Sequence, residues 1–157
     1  MKLSLFESIG VRASAERLFE FTNSVAGLTT FVGFGPIPGI REARYHNSTG
    51  AQLGARREIT KTNGAVHEEE IIAFEPPARH VARIYVPSRA LSWPIREAID
   101  EFRFVEHGVE TRVERVFEMT LVSSVAWPVA MIARSLMRRA VRRDLANLKR
   151  RIEATTT

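Results

Sequence analysis

The chain has 157 residues, 45% hydrophobic and 26% charged, with a formal net charge of +5 and no cysteine. That length suits one domain, residues 1–157, able to bury roughly 70% of its unfolded surface, and the balance of residue types is that of an ordinary globular protein rather than a disordered one. The lack of cysteine excludes disulfides, thiolate metal sites and a cysteine nucleophile. The charges at Lys2 and Glu7 leave no room for a signal-peptide apolar core, so a cytoplasmic location is the default expectation.

Residues 2–11 alternate as a strand does, and Ser14 is placed to cap a helix that runs to about Asn23. The glycines and prolines of residues 27–39 forbid a long regular helix, and the run GFGPIPGI at 33–40 reads as a stiffened lip. Strand patterns then follow at 40–46, 55–62, 65–74, 79–86, 98–106 and 109–119, the order of an antiparallel meander. Asn63-Gly64 signals a tight two-residue hairpin, which would set Arg57 opposite Glu70 and Glu58 opposite Glu69. Because successive strand side chains alternate, Glu68, Glu69 and Glu70 cannot all face water over a covered sheet, and at least one is expected to point inward.

A second hairpin, turning at His107-Gly108, is expected to set Phe104 by Thr111, Phe102 by Val113 and Asp100 by Arg115. Thr111, Val113, Phe117 and Met119 then share an apolar side with Phe102 and Phe104, and Arg115 is the lone charge in its middle. An arginine on a dry face requires a carboxylate, because an unpaired buried charge costs several kcal/mol. Asp100 is the expected partner, either as a purely structural pair or as one that also meets a ligand's acid group.

The last helix is expected to begin near Ser123-Ser124, to accept Pro128 in its first turn and to run to about Glu153. Its first part, including Trp127, Met131 and Ile132, is apolar almost all round, which predicts burial there or a bend. The later stripe of Val141, Leu145, Leu148 and Ile152 lies on a rotated face. Arg134 ends the apolar run well short of the ~20 residues of a membrane span. From residue 124 onward eight basic residues stand against two acidic ones. The plain reading is a solvated face. Nucleic acid is not the expected partner, since the strands lack interleaved exposed aromatics. Contact with a membrane surface is the lesser alternative.

Taken together, the segments 8–19 (SIGVRASAERLF), 34–40 (FGPIPGI), 54–59 (GARREI), 69–77 (EEIIAFEPP) and 93–96 (WPIR), in this order before a long helix, resemble the SRPBCC superfamily of START-domain, birch-pollen-allergen-like and polyketide cyclase/dehydrase proteins, in its small bacterial members. The resemblance covers nearly the whole chain and rests on order and spacing. It implies an α+β helix-grip fold: a seven-stranded antiparallel sheet wrapped around a long C-terminal helix, with two short helices and an internal cavity. It implies binding or carriage of a small hydrophobic or amphipathic molecule, lipid or polyketide-like. The alternative it offers is a cyclase, aromatase or dehydratase using acid/base residues.

For a carrier the expected lining is Phe102, Phe104, Val113, Phe117 and Met119 with Met131 and Ile132 from the helix, while Arg115 and Asp100 orient a polar end. For an enzyme, Glu69, His67 or Tyr85 would exchange protons with the substrate. No catalytic residue is assigned and no cofactor or metal is expected. His67 and Glu69 at i, i+2 offer only two ligands, and the following Ile71 breaks the zinc-protease spacing. No serine-elbow motif occurs. His46, His80 and His107 read as ordinary strand or turn residues, and Trp93 and Trp127 as packing residues able to cap a pocket mouth. A monomer or homodimer is expected.

Overall fold

Ser14 caps the first helix through a side chain that accepts from Arg17 N–H, and the chain then alternates helices and strands in an order the computed structural model gives in full for residues 1–47, 49–85, 95–123 and 127–155. The elements are β1 (Lys2–Val11), α1 (Ala15–Asn23), α2 (Val25–Leu28), β2 (Gly33–Phe34), β3 (Ile37–Pro38), β4 (Ile40–Tyr45), β5 (Arg56–Lys61), β6 (Val66–Glu75), β7 (Arg79–Tyr85), β8 (Ile95–His107), β9 (Glu110–Leu121) and α3 (Trp127–Ala154). Seven strands form one antiparallel sheet in the order β1-β9-β8-β7-β6-β5-β4, and β2 with β3 makes a separate two-stranded hairpin. This is the helix-grip arrangement. Trp93, Ser124 and Val125 lie outside the described residues.

The inner face of the sheet follows the two-residue period of its strands. Leu5 and Val11 of β1, Ile59 of β5, Phe102 and Phe104 of β8, and Val113, Phe117 and Met119 of β9 are buried together with Leu18 and Phe19 of α1. The helix closes this core with Val141, Leu145, Leu148 and Ile152, spaced to form one face of α3. At 28 residues α3 spans about 42 Å. Its N-terminal half departs from expectation: Trp127, Val129 and Ile132 are exposed, with Ile132 at 65%. The grip is made by the C-terminal half, where the apolar stripe meets the sheet.

The basic residues of α3 are not merely a solvated face. Arg138 and Arg142 both reach Glu7 of β1, at 3.2 and 2.9 Å. Arg134 Nε donates to Ser4 O (2.9 Å), and Lys149 Nζ to Gly10 O (2.6 Å). Arg12 N–H in turn donates to Glu153 of the helix (3.0 Å). The last helix is thus tied along the first strand. No helix among the described residues is long and apolar enough to cross a membrane.

Both hairpins differ from the expected register, with opposite consequences. The β5–β6 turn closes through Lys61 N–H donating to Ala65 O (2.8 Å) and Gly64 N–H to Lys61 O (3.0 Å), with Gly64 at φ 86. It is therefore a three-residue loop with its glycine in the left-handed region, not a two-residue turn. The slip of one residue pairs Arg57 with Glu69 and Glu58 with Glu68. The β8–β9 turn occupies Gly108-Val109, so His107 pairs with Glu110, Phe104 with Val113 and Phe102 with Arg115. That shift is two residues, which preserves the faces; Asp100 becomes a diagonal neighbour of Arg115 and still reaches it.

The 33–40 segment folds tightly over one end of the sheet. Gly33 has φ 71, and a Cβ there would lie 2.2 Å from Ile37 O, whereas Gly35, at φ 55, has open space around it. Replacing Gly33 with alanine should therefore destabilise the protein by more than the ~1 kcal/mol expected of Gly35→Ala, where only backbone strain is incurred. Urea denaturation of the two variants checks the order.

Candidate functional site

Between the concave sheet, the β2–β3 lip and α3 lies a cavity of about 70 Å³. At ~10–15 Å³ of such volume per water molecule it has room for roughly five to seven waters. Apolar walls come from Leu28, Phe31, Ile37, Ile84, Phe102, Phe117 and Met137, while Arg57, Lys61, Glu69, His80, Asp100, Arg115 and Asp144 bring charge or polarity to it. A second depression beside α1, of about 390 Å³ and lined by Phe19, Asn23, Tyr45 and Phe74 among others, is larger because it opens to solvent, and it gathers no comparable set of charges.

Arg115 is the centre of the first cavity's electrostatics. It is 6% exposed, and its fork meets Asp100 through Nε (2.8 Å) and Nη2 (2.7 Å). Nη1 reaches Asp144 of α3 at 3.5 Å. Phe31, Phe102 and Phe117 surround the guanidinium, with ring centroids at 4.8, 5.0 and 5.9 Å. Burial alone would lower its pKa, but the two carboxylates outweigh it and hold the group charged. Asp144 also accepts from Gly33 N–H (3.1 Å), so one carboxylate joins sheet, helix and lip. Burial raises the Asp144 pKa, against the pull of Arg115 and the Gly33 and Val32 amides.

A second buried pair lies across β5 and β6. Arg57 donates through Nε to Glu69 (2.7 Å) and through Nη1 to Tyr45 OH (3.0 Å), whose hydroxyl donates to Asn23 O (2.6 Å). His67 Nε2 stands 2.8 Å from the other Glu69 oxygen. Burial pushes the Glu69 carboxyl upward, yet Arg57 and His67 overcome it and hold the group well below the usual carboxylate range. His80 stacks on Phe102 at 5.1 Å. Its Nε2 is hydrogen-bonded to the Thr22 hydroxyl (2.9 Å), which also lies 2.9 Å from Leu18 O. Burial, then the positive charges of Arg57 and Arg115, lower the His80 pKa to about 3 and keep the ring neutral.

Lys61 reaches the same cavity from the end of β5. Burial lowers its pKa and Arg115 adds to the effect, opposed by Glu69, Asp100 and Asp144. Among the described residues no set of three or more His, Cys, Asp or Glu side chains converges as metal ligands.

A model of the family described as "Polyketide cyclase / dehydrase and lipid transport" matches residues 3–153. The chain belongs to this family. Solved structures of the same fold include a protein from Nitrosospira multiformis (20% identity, 94% of each chain, TM-score 0.65) and ginseng major latex-like protein 151 from Panax ginseng (13%, 98% of this chain and 97% of that one, 0.67). Another is the di-domain ARO/CYC BexL from the BE-7585A biosynthetic pathway (14%, 94% of this chain and 49% of that one, 0.68). These likenesses carry the fold alone. No curated protein matches the chain in sequence.

Within this polyketide cyclase/lipid-transport scaffold, Phe102, Phe117, Arg115, Asp100 and Glu69 line the cavity. Phe104, Val113 and Met119 are buried in the core behind it. Ile132 faces outward, and Met131 sits on the same weakly buried half of α3, so neither lines the space. Tyr85 lies on the outer face, 38% exposed, its hydroxyl donating to Glu70 (2.7 Å). The residues that sequence reasoning missed are Arg57, Lys61, His80 and Asp144. The signal for the first two was present: Arg57, Ile59 and Lys61 alternate onto one face, and Ile59 marks that face as the dry one.

Two outcomes follow from the buried charges. Asp100→Asn should cost about 3–5 kcal/mol because it leaves Arg115 under-compensated. Joint replacement of Arg115 by Met with Asp100 and Asp144 by Asn should cost much less than the sum of the single changes, as urea melts of the full cycle would report. For His80, the folded-state pKa of about 3 lies below the unfolded value of 6.5. The stability it contributes is full above that unfolded value and is lost as pH falls toward the folded one. Between pH 7 and pH 5 the loss from this group is roughly 2 kcal/mol, and His80→Gln, which keeps a donor for Thr22, should remove that part of the pH dependence.

Proposed function

We propose that this protein binds one small, net-neutral molecule, an aromatic or alicyclic ring bearing a hydroxyl or carbonyl group, in the cavity between sheet and helix. The observation that carries this reading is a cavity of about 70 Å³ with aromatic walls and an internally balanced set of charges. Pockets that enclose drug-sized ligands are ~300–1,000 Å³, so the space suits a compact ring better than a long acyl chain. Glu69, Asp100 and Asp144 face Arg57, Arg115 and Lys61 across it. Arg57 and Arg115 are balanced by Glu69 and Asp100, while burial shifts Lys61 and Asp144 both toward their uncharged forms, so the lining carries no surplus charge, which favours a ligand with a polar but un-ionised end. Phe31, Phe102 and Phe117 would supply the apolar contact, and the charged groups behind them would select the polar end.

A catalytic reading of the cyclase type is favoured by a separate observation. Asp144 has a raised pKa and Lys61 a lowered one, the combination expected of groups that exchange protons with a substrate. The ARO/CYC protein BexL, which shares the fold, fits this reading. Glu69 suits it less well, since Arg57 and His67 hold it ionised.

The test is methyl NMR of the full chain titrated with p-cresol, which carries a ring and one hydroxyl. Resonances of Met137, Ile37 and Ile84, which line the cavity, should shift, while exposed Ile132 stays in place. Palmitate should produce no comparable shifts. Perturbation confined to Ile132, or none at millimolar p-cresol, would count against the proposal.

A further inference from the structure

The chain contains twenty arginines but only three lysines, Lys2, Lys61 and Lys149. Two of the three lie at the surface in ion pairs: Lys2 Nζ with Glu118 at 2.8 Å, and Lys149 Nζ with Glu153 at 3.1 Å. The third, Lys61, faces the cavity. It has neither a hydrogen bond nor an ion pair from its ammonium group among the described residues, whereas Arg57 and Arg115 both spend their forks on carboxylates. A cation that can shed its proton therefore stands, without a partner, where the other buried bases cannot shed theirs.

We propose that Lys61 is a carbonyl-reactive amine that forms a reversible imine with a small ketone or 1,3-diketone held in this cavity. The inference rests on the small-ligand reading above and assigns that ligand's polar end. The unprotonated Nζ lone pair attacks the carbonyl carbon, the carbonyl π pair takes up a proton to become a hydroxyl, and the nitrogen gives up a proton. That hydroxyl takes up a further proton and leaves as water while the nitrogen lone pair forms the C=N bond and the nitrogen gives up its second proton, so amine and carbonyl compound yield imine and water with no oxidant or reductant. Burial favours the uncharged amine that the first step needs. Asp144, whose carboxyl burial holds partly toward its protonated form, faces the same space and can supply or take up the proton. Arg115 is committed to Asp100 and Asp144, which leaves Lys61 as the amine presented to the ligand.

Lys2, Lys149 and the N-terminal amine serve as internal controls. The native protein is incubated at neutral pH with pentane-2,4-dione, a 1,3-diketone of seven non-hydrogen atoms that converts amines to stable enaminones, and adducts are located by peptide mass mapping. Lys61 should gain the mass of one dione less one water at least about tenfold faster than Lys2 or Lys149, each tenfold corresponding to one pH unit of difference in amine ionisation. Lys61→Arg, which keeps the charge and much of the shape, should retain the native fold by circular dichroism and lose the fast adduct. Modification of Lys61 no faster than the surface lysines, or an unchanged fast adduct in Lys61→Arg, overturns the proposal. If p-cresol shifts the cavity methyls while Lys61 stays inert, the imine is overturned and the small-ligand reading stands. A fast Lys61 adduct without any p-cresol shift supports the reactive amine and overturns the ring-binding reading instead.

Discussion

An arginine buried in the middle of the sheet's dry face must be neutralised, and this protein organises its interior around that requirement. Arg115 cannot discharge itself, so two carboxylates have to be brought to it. One comes from the neighbouring strand, as Asp100, and the other from the helix, as Asp144. The second also accepts the Gly33 amide. A single electrostatic constraint thereby fixes the distance between sheet and helix and the seating of the lip, and three phenylalanine rings close over the result.

The cavity is what remains between those commitments. An apolar interior would have been free to collapse around any gap, as close-packed cores do. Here the Arg115 and Arg57 clusters hold the walls apart with directional bonds, and the residual space lies where side chains have polar ends that cannot be packed dry. In the proposed reading, apolar area is available on one side of the cavity, the polar side is largely taken up by ion pairs, and Lys61 is the cavity-lining base without one among the described residues.

The sequence made the fold legible because its signals were local and periodic: a Ser14 cap, a two-residue alternation and a four-residue helical stripe. It also exposed the Arg115–Asp100 pair, since a charge on an apolar face demands a carboxylate whatever the details. The half of the site on β5 was hidden by turn geometry. Reading Asn63-Gly64 as a two-residue turn displaces the β5–β6 pairing by one residue and puts Arg57 and Lys61 on the face opposite Glu69. The β8–β9 error was larger in residues but harmless, because an even slip keeps every side chain on its own side. Asp144 was unreadable for a different reason: it lies 29 residues from Arg115, on another element, and only the docking of the helix brings them together. Ile132 and Met131 were misplaced because composition alone made the start of α3 look like core.

The ties between α3 and β1 bear on how the chain must assemble during synthesis. Among the described elements β1 is made first, yet its hydrogen-bonding neighbour is β9 and its cover is the last helix. Its edge and its apolar face stay without native partners until β9 and α3 have been made. Pairings this distant in sequence close late and slowly, so β1 stays exposed while the strands between it and β9 are made. The Glu7, Ser4 and Gly10 contacts are the clasp that ends that exposure.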